Sequence, residues 1–254
     1  MRAACRLSPV TLGLSLLCSA GVAHAATTTL PELSVTADSE RERDNPRVKE
    51  VSTATRTSTP VRYVPQAIDT LKTQNVLDYG SSSLGKALEG IPNVSSSADT
   101  RFDSVRIRGF DSSNDFYLDG VRDDSQYIRD LHNIERVDVL KGPAAVLYGR
   151  GSQGGIVNRV SKVPEHGRRS SIEVQGGSED LRSLYADLSA DPSDNISLRL
   201  NLGNQDNNSF RDGIDGSRQL FAPSMSWQLS EDLNWLVQYE YSRFNRTPDR
   251  GIPG

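Results

Sequence analysis

The chain has 254 residues, with 29 Lys and Arg against 33 Asp and Glu for a net charge of -4, and only 35% apolar residues. No basic excess exists to neutralise a phosphate backbone, which argues against nucleic acid as a partner. Mean hydropathy is -0.51, and no run beyond the N-terminal segment approaches the roughly 18 apolar positions of a membrane helix. A transmembrane β-barrel stays open to this composition, because the lumen face of its strands is polar.

Residues 1–25 carry Arg2 and Arg6, then an apolar run from Val10 to Cys18, then Ala23-His24-Ala25. A basic start, a short apolar stretch and an A-x-A end read as a secretory signal peptide; a membrane anchor would need about twice that apolar length. Leu16 and Leu17 before Cys18 argue against a lipoprotein site. Cleavage after Ala25 removes two basic and no acidic side chains, leaving 27 against 33 and a net charge of -6. It also removes Cys5 and Cys18, the two cysteines of the chain, so neither a disulfide nor a thiolate site is expected in the remainder.

Residues 26–60 are rich in Thr, Ser, Arg and Glu and poor in large apolar groups, a composition expected to form a flexible arm. Within it lies a β-prone island, Leu30-Pro31-Glu32-Leu33-Ser34-Val35-Thr36-Ala37. Read alone, the island is either an inert linker or a strand that adds to a partner's sheet edge.

Residues 61–165 read as a small α+β domain. A strand is expected at Ala67–Leu71, short helices at Thr73–Tyr79 and Ser83–Glu89, and a stop at Gly90-Ile91-Pro92. Further strands are expected around Val105–Arg108, Phe116–Leu118, Val137–Leu140 and Ile156–Val160.

From residue 166 the pattern changes to long period-two runs. Ile196, Leu198, Leu200 and Leu202 alternate with polar residues, as do Phe221, Pro223, Met225, Trp227 and Leu229, then Leu233, Trp235, Val237, Tyr239 and Tyr241. Leu236 breaks the last alternation. With shorter runs near Ser171–Gly176 and Leu184–Ala190, about five strands are expected. If the first runs outward, Asp191–Asn195 and Ser230–Asp232 become inner turns, and Asn204–Ser217 and the stretch from Arg246 become outer loops. A soluble β-sandwich remains the alternative, since periodicity alone does not separate the two.

Three motifs fail on context. Gly149-Arg150-Gly151-Ser152-Gln153-Gly154 fits G-x-G-x-x-G, but a strand follows where a dinucleotide site needs a helix. Gly80–Lys86 fits the start of a P-loop, yet Ala87 stands where a hydroxyl should hold magnesium. Arg150 replaces the first glycine of a nucleophile elbow around Ser152. His132 and His166 have no second ligand at metal spacing. Neither an enzyme nor a resident cofactor or metal is expected.

A family signal is carried by Val105-Arg106-Ile107-Arg108-Gly109-Phe110, Phe116-Tyr117-Leu118-Asp119-Gly120-Val121, the run Ile134 to Gly149 containing Lys141-Gly142-Pro143, and Gly154-Gly155-Ile156-Val157-Asn158. In order and spacing these resemble the plug of TonB-dependent ferric-siderophore receptors. Leu33-Ser34-Val35-Thr36-Ala37 is similar to the family's TonB box, and Thr247–Pro253 to a loop after an early barrel strand. The resemblance implies an α+β plug domain followed by antiparallel strands of a transmembrane β-barrel, of about 22 strands in the family, here the N-terminal portion. It leaves no room for the extra signalling domain of some members. It also implies the outer membrane of a Gram-negative bacterium, TonB with its inner-membrane energising complex as partner, outer-membrane lipid around the barrel, and a ferric siderophore as cargo. The alternative is an outer-membrane adhesion or structural β-protein that transports nothing.

The resemblance places Arg108, Phe110, Arg122, Gln126 and Tyr127 toward the siderophore, because plug apices offer cations and rings to anionic, aromatic chelates. Arg106, Arg136, Lys141 and Arg150 are expected to form ion pairs between plug and barrel, since a charge in a closed lumen needs a partner. Leu33, Ser34, Val35, Thr36 and Ala37 are expected to bind TonB. The Arg122–Arg129 stretch looks somewhat like that of catecholate receptors, and the siderophore itself is not legible.

Overall fold

The computed structural model describes residues 48–80, 83–96, 102–149, 153–209 and 213–247. The expected signal peptide, the segment expected to bind TonB, and Arg150 lie outside the described residues. The N-terminal domain holds β1 (Glu50–Val51), β2 (Thr59–Pro60), β3 (Ala67–Lys72), β4 (Val94–Ser96), β5 (Val105–Ile107), β6 (Phe110–Asp111), β7 (Phe116–Leu118), β8 (Val121–Arg122), β9 (Ile134–Lys141) and β10 (Gly155–Ser161). Its main sheet runs β3-β9-β10-β7-β8, and β4-β5-β6 form a smaller one. Strands β7 and β10 are parallel; the other pairs of both sheets are antiparallel.

The central strands β9, β10 and β7 are covered on both faces, which explains runs such as Val137-Asp138-Val139-Leu140 that do not alternate cleanly. One face packs Phe116, Val137, Val139 and Val157 against Val76, Leu84 and Leu88 of the helices Thr73–Asp78 and Leu84–Glu89. The other packs Tyr117, Leu140 and Ile156 against Ala54, Ala144 and Tyr148. Residues 48–60 are therefore not part of a loose arm: Val51, Thr53 and Ala54 are buried. This corrects the boundary expected from composition. Short apolar contacts and polar bonds to the sheet order a segment that its own hydrophobicity would not.

Two hairpins end in two-residue turns with left-handed backbone at both positions: Arg108 (φ 53) with Gly109 (φ 86), and Asp119 (φ 50) with Gly120 (φ 80). These are type I′ turns, whose twist matches antiparallel strands and whose second position favours glycine. Sequence reading missed β6 and β8, two residues each, which follow directly from those turns.

The second part is a wall of six strands: β11 (Ser171–Gly176), β12 (Arg182–Ser193), β13 (Ile196–Asn208), β14 (Asp215–Ser230), β15 (Leu233–Gln238) and β16 (Tyr241–Arg246). They pair antiparallel in chain order, β16 continuing along β14 beside β15. The register is the same on both sides of the break, Ser224↔Gln238 and Phe221↔Tyr241. The interruption falls opposite Pro223, which has no N–H to donate. What reads as five period-two runs is thus five staves, the last one split. They form an open sheet and not a closed barrel.

Side-chain parity follows the sequence pattern. Leu184, Leu198, Phe221, Trp227, Leu229, Trp235 and Val237 stand exposed on the face turned away from the domain. Tyr185, Arg199, Asn201, Arg218 and Ser224 are buried against the domain. Leu236, the breach in the alternation, falls on the inner parity opposite Ser226. The outer loop expected at Asn204–Ser217 is shorter: β13 and β14 pair as far as Asn208↔Asp215. Backbone hydrogen bonds carry these strands past the apolar band, where side chains on both faces are polar.

Candidate functional site

The residues expected to face a ligand divide into two groups. Arg108, the first central residue of the first type I′ turn, and Phe110, which follows the turn, are exposed, Phe110 at 49%. The Arg108 backbone N–H donates to the Asn93 carbonyl at 2.8 Å, which fixes the turn and leaves the guanidinium on the surface. A cavity of about 350 Å³ is bordered by Ser95, Ser104, Arg106 and Asp111, and Arg108 is not among its lining residues. Gln126 is exposed on the stretch after β8.

Arg122 and Tyr127 belong to a polar knot. Arg122 donates to the Asn114 carbonyl at 2.8 Å and the Tyr117 hydroxyl at 2.9 Å, and pairs with Asp115 at 3.4 Å. The Tyr127 hydroxyl donates to Asp123 at 2.6 Å and accepts from Arg159 at 3.0 Å. Burial pushes this phenol above its ordinary pKa, against the pull of Arg159. Arg129 is sandwiched between the Phe116 and Tyr127 rings, 4.1 and 4.4 Å from their centroids, and also pairs with Asp123 at 3.2 Å. Its backbone N–H donates to Asp103 at 2.8 Å, and burial raises the Asp103 pKa in spite of that bond. These contacts stiffen the 122–130 stretch.

The domain meets the wall through a polar seam. Arg199 forks onto Asp187 at 2.8 and 2.6 Å and donates to the Val163 carbonyl at 2.8 Å. Lys162 reaches the same Asp187 at 3.1 Å, and burial lowers its pKa although that carboxylate opposes the shift. Glu135 pairs with Arg168 at 3.4 Å and with Arg199 at 3.9 Å. Further along, Arg218 reaches Asp130 at 3.3 Å, and Asp130 accepts from His132 Nδ1 at 2.8 Å. The His132 ring stacks on Tyr185 with centroids 3.2 Å apart. Burial pushes the Asp130 carboxyl up, but the hydrogen bonds and charge of His132, with Arg218, hold it at about 2.

The ion pairs expected between domain and wall are thus made by other residues. Arg136 pairs within the domain with Asp138 at 3.3 Å, two positions along the same strand. Lys141 pairs with Asp69, its neighbour on β3, and donates to the Pro92 carbonyl at 2.6 Å. Arg106 lies opposite Asp111 in the β5–β6 register. Arg136 and Lys141 thus find their carboxylates on their own sheet. A usable signal for the true seam was present: Asp187, Arg199 and Arg218 are charged residues on the polar parity of long strands, and such groups need partners on the lumen side. Among the described residues no cluster of His, Cys, Asp and Glu suits a metal ion.

Comparison with known proteins places this geometry. The TonB-dependent receptor plug domain family matches residues 60–156. The metal-pseudopaline receptor CntO of Pseudomonas aeruginosa is 37% identical, over 94% of this chain and 36% of that protein. The catecholate siderophore receptor Fiu of Escherichia coli K12 is 32% identical, over 77% of this chain and 29% of its own length. The crystal structure of the siderophore receptor PiuA from Acinetobacter baumannii superposes with a TM-score of 0.77 at 26% identity, covering 83% of this chain and 31% of that one. The chain spans about a third of the length of the curated relatives it matches. An α+β domain seamed to antiparallel strands with an apolar outer face, together with these similarities, shows that residues 60–156 are a TonB-dependent receptor plug domain and that the chain resembles the plug and first wall strands of such receptors.

Proposed function

We propose that this chain acts as the plug and first wall strands of an outer-membrane receptor that takes up a ferric siderophore or a related metal chelate, energised by TonB. The observation that carries the reading is the seam: charged plug side chains pair with the inner parity of strands whose outer parity is apolar. A plug so held blocks a lumen until it is pulled. Arg108, Phe110 and Gln126, exposed, are the proposed first contacts of the chelate, with the Tyr127 ring and Arg122 behind them. Leu33–Ala37 is the proposed TonB-binding strand, pairing by main-chain bonds. Iron or another metal enters as cargo and the protein needs no cofactor. The location is the Gram-negative outer membrane, with lipid against the wall's outer face.

The test is growth of a strain lacking the gene, complemented with the full-length gene, on a panel of ferric and other metal chelates. Deletion of residues 33–37 should abolish energised uptake and leave surface binding intact. If the deletion changes neither, the non-transporting adhesion or structural reading replaces this one.

A further inference from the structure

The Arg56 side chain ties together three stretches that lie far apart in the sequence. Its guanidinium donates to the Gly120 carbonyl at 3.2 Å and to the Leu147 carbonyl at 2.9 Å, and it lies over the Tyr148 ring, 4.2 Å from the centroid. Gly120 belongs to the second type I′ turn, and Leu147 and Tyr148 end the short helix Ala145–Tyr148. Thr53 reaches both places as well. Its carbonyl accepts from the Tyr148 hydroxyl at 2.7 Å, and its Oγ1 accepts from Asn158, whose Oδ1 accepts the Gly120 N–H at 2.9 Å. Arg56 has φ 62, a left-handed backbone that strains a non-glycine residue and is held here by an N–H bond to the Ser52 carbonyl at 2.7 Å. A Cβ at Gly120 would overlap the guanidinium, so a side chain in that turn would push Arg56 away from it.

We propose that Arg56 is a latch: it fastens residues 50–60 and the helix Ala145–Tyr148, as one unit, to the second hairpin turn. The turn is a fixed post, because Asp119 accepts from the Ser161 N–H and hydroxyl at 2.8 and 2.6 Å. The helix is four residues long, too short to hold itself, and Arg56 satisfies one of the carbonyls that its last turn leaves open. Losing the latch therefore loosens the segment and the helix together. The bonds from plug to wall at Asp130, Glu135 and Lys162 involve neither, so β9 and β10 stay in place. The stretch that carries the helix also abuts the first hairpin. The Gly142 N–H donates to the Gly154 carbonyl at 2.7 Å, a Cβ at Gly154 would overlap the Ile107 carbonyl, and one at Gly142 would press on the Arg108 guanidinium. Resting on the receptor reading above, the use of the latch is that residues 50–60, which follow the proposed TonB-binding strand in sequence, cannot leave the plug without loosening the backing of Arg108 and Phe110.

Asparagine accepts left-handed backbone but is too short to reach either carbonyl, so Arg56→Asn removes the latch without adding strain. The full-length receptor is purified in detergent, with neither TonB nor chelate present, and amide exchange is followed by mass spectrometry. Exchange should accelerate roughly tenfold at residues 50–56 and at 147–149 together, while Val137–Leu140 on β9 keep their protection. Arg56→Lys keeps the charge and the reach but not the planar fork, and should recover part of the protection at both stretches. Arg62→Asn removes a guanidinium that lies over Tyr63, 4.7 Å from the centroid, and should change neither. Residues 26–254 contain no cysteine, so one thiol gives a second measurement. Ala54 is 5% exposed, and the thiol introduced by Ala54→Cys should react with a maleimide roughly tenfold faster once Arg56→Asn is added.

Acceleration at residues 50–56 alone overturns the latch, because Arg56 would then order only its own segment. Acceleration that spreads to β9 overturns the separate unit. Unchanged exchange, or a maleimide rate that Arg56→Asn does not alter, overturns both. None of these outcomes depends on TonB or a chelate, so they judge the latch by itself, and the receptor reading falls separately if deletion of residues 33–37 leaves uptake intact.

Discussion

Thr53 Oγ1 donates to Asp138 Oδ2 at 2.6 Å, joining the first described segment of the chain to the middle of the plug sheet. Thr53 Oγ1 also accepts from Asn158 at 2.9 Å, and its carbonyl accepts from the Tyr148 hydroxyl at 2.7 Å. Burial raises the Asp138 pKa, with Arg136 and the Thr53 hydroxyl opposing it. Thr53→Val removes a hydroxyl from a buried network and should cost about 1–3 kcal/mol. The loss is expected to be local: amide hydrogen exchange should accelerate at residues 50–56 while β9 and β10 keep their protection. Equal acceleration across the sheet would show that this segment has no separate opening step.

Acid should loosen the seam at Asp130. Its folded pKa, about 2, lies below the ordinary value of 3.8, so its stabilising contribution is complete above the unfolded value and is lost as pH falls from about 4 to about 2. The difference corresponds to about 2 kcal/mol. Asp103 and Asp138 are shifted upward and act in the opposite sense: their native forms bind a proton sooner, so acidification from neutral favours the fold through them. The clean comparison is therefore wild type against Asp130→Asn in the full-length receptor. As pH falls from about 4 to about 2, wild type should lose stability on thermal unfolding that Asp130→Asn does not lose. A variant that tracks wild type down to pH 2 would remove Asp130 from the account.

The wall was legible in the sequence because a membrane face forces strict alternation, and Leu198-Arg199-Leu200-Asn201-Leu202 can face apart in only one way. Its outer ends were not legible: Asn204–Asn208 and Asp215–Gln219 are polar on both parities, and only backbone register marks them as strand. Two-residue strands such as β6 and β8 carry no period at all. The plug's polar knot was hidden for a different reason. No spacing links Asp123, Arg129 and Arg159 in the sequence, and their convergence depends on β10 lying beside β7, a tertiary fact. The arm's boundary failed because Thr53 is ordered by Asp138 and Asn158, far along the chain.

Gly155 is a position where the backbone leaves no choice. It has φ +143, and a Cβ there would overlap the Leu140 carbonyl across the β9–β10 pair. Gly155→Val should cost more than about 3 kcal/mol, combining backbone strain with displacement of a central strand. Gly90→Ala, with open space around the new Cβ and ordinary backbone, should stay within about 1 kcal/mol. Denaturant unfolding of the full-length receptor, followed at the plug by hydrogen exchange, separates the two. Comparable effects would mean that the β9–β10 contact does not limit plug stability.

The apolar parity of the wall makes the sharpest demand, because the same substitution should have opposite consequences on the two faces of one strand. Leu200 lies on the outer parity of β13, between Pro223 on β14 and Leu188 on β12. Leu200→Lys puts an ammonium against hydrocarbon, at a cost of about 2–4 kcal/mol near the bilayer midplane. Asn207→Lys, on the same inner parity beyond the apolar band, stands opposite Gly216 and should change stability by less than about 1 kcal/mol. The measurement is the folding equilibrium in lipid vesicles, read from Trp227 and Trp235, the chain's two tryptophans, which pair across β14 and β15 with ring centroids 6.4 Å apart. If Leu200→Lys is tolerated as well as Asn207→Lys, the outer face does not meet lipid. The seam would then hold a soluble sheet instead of a membrane wall.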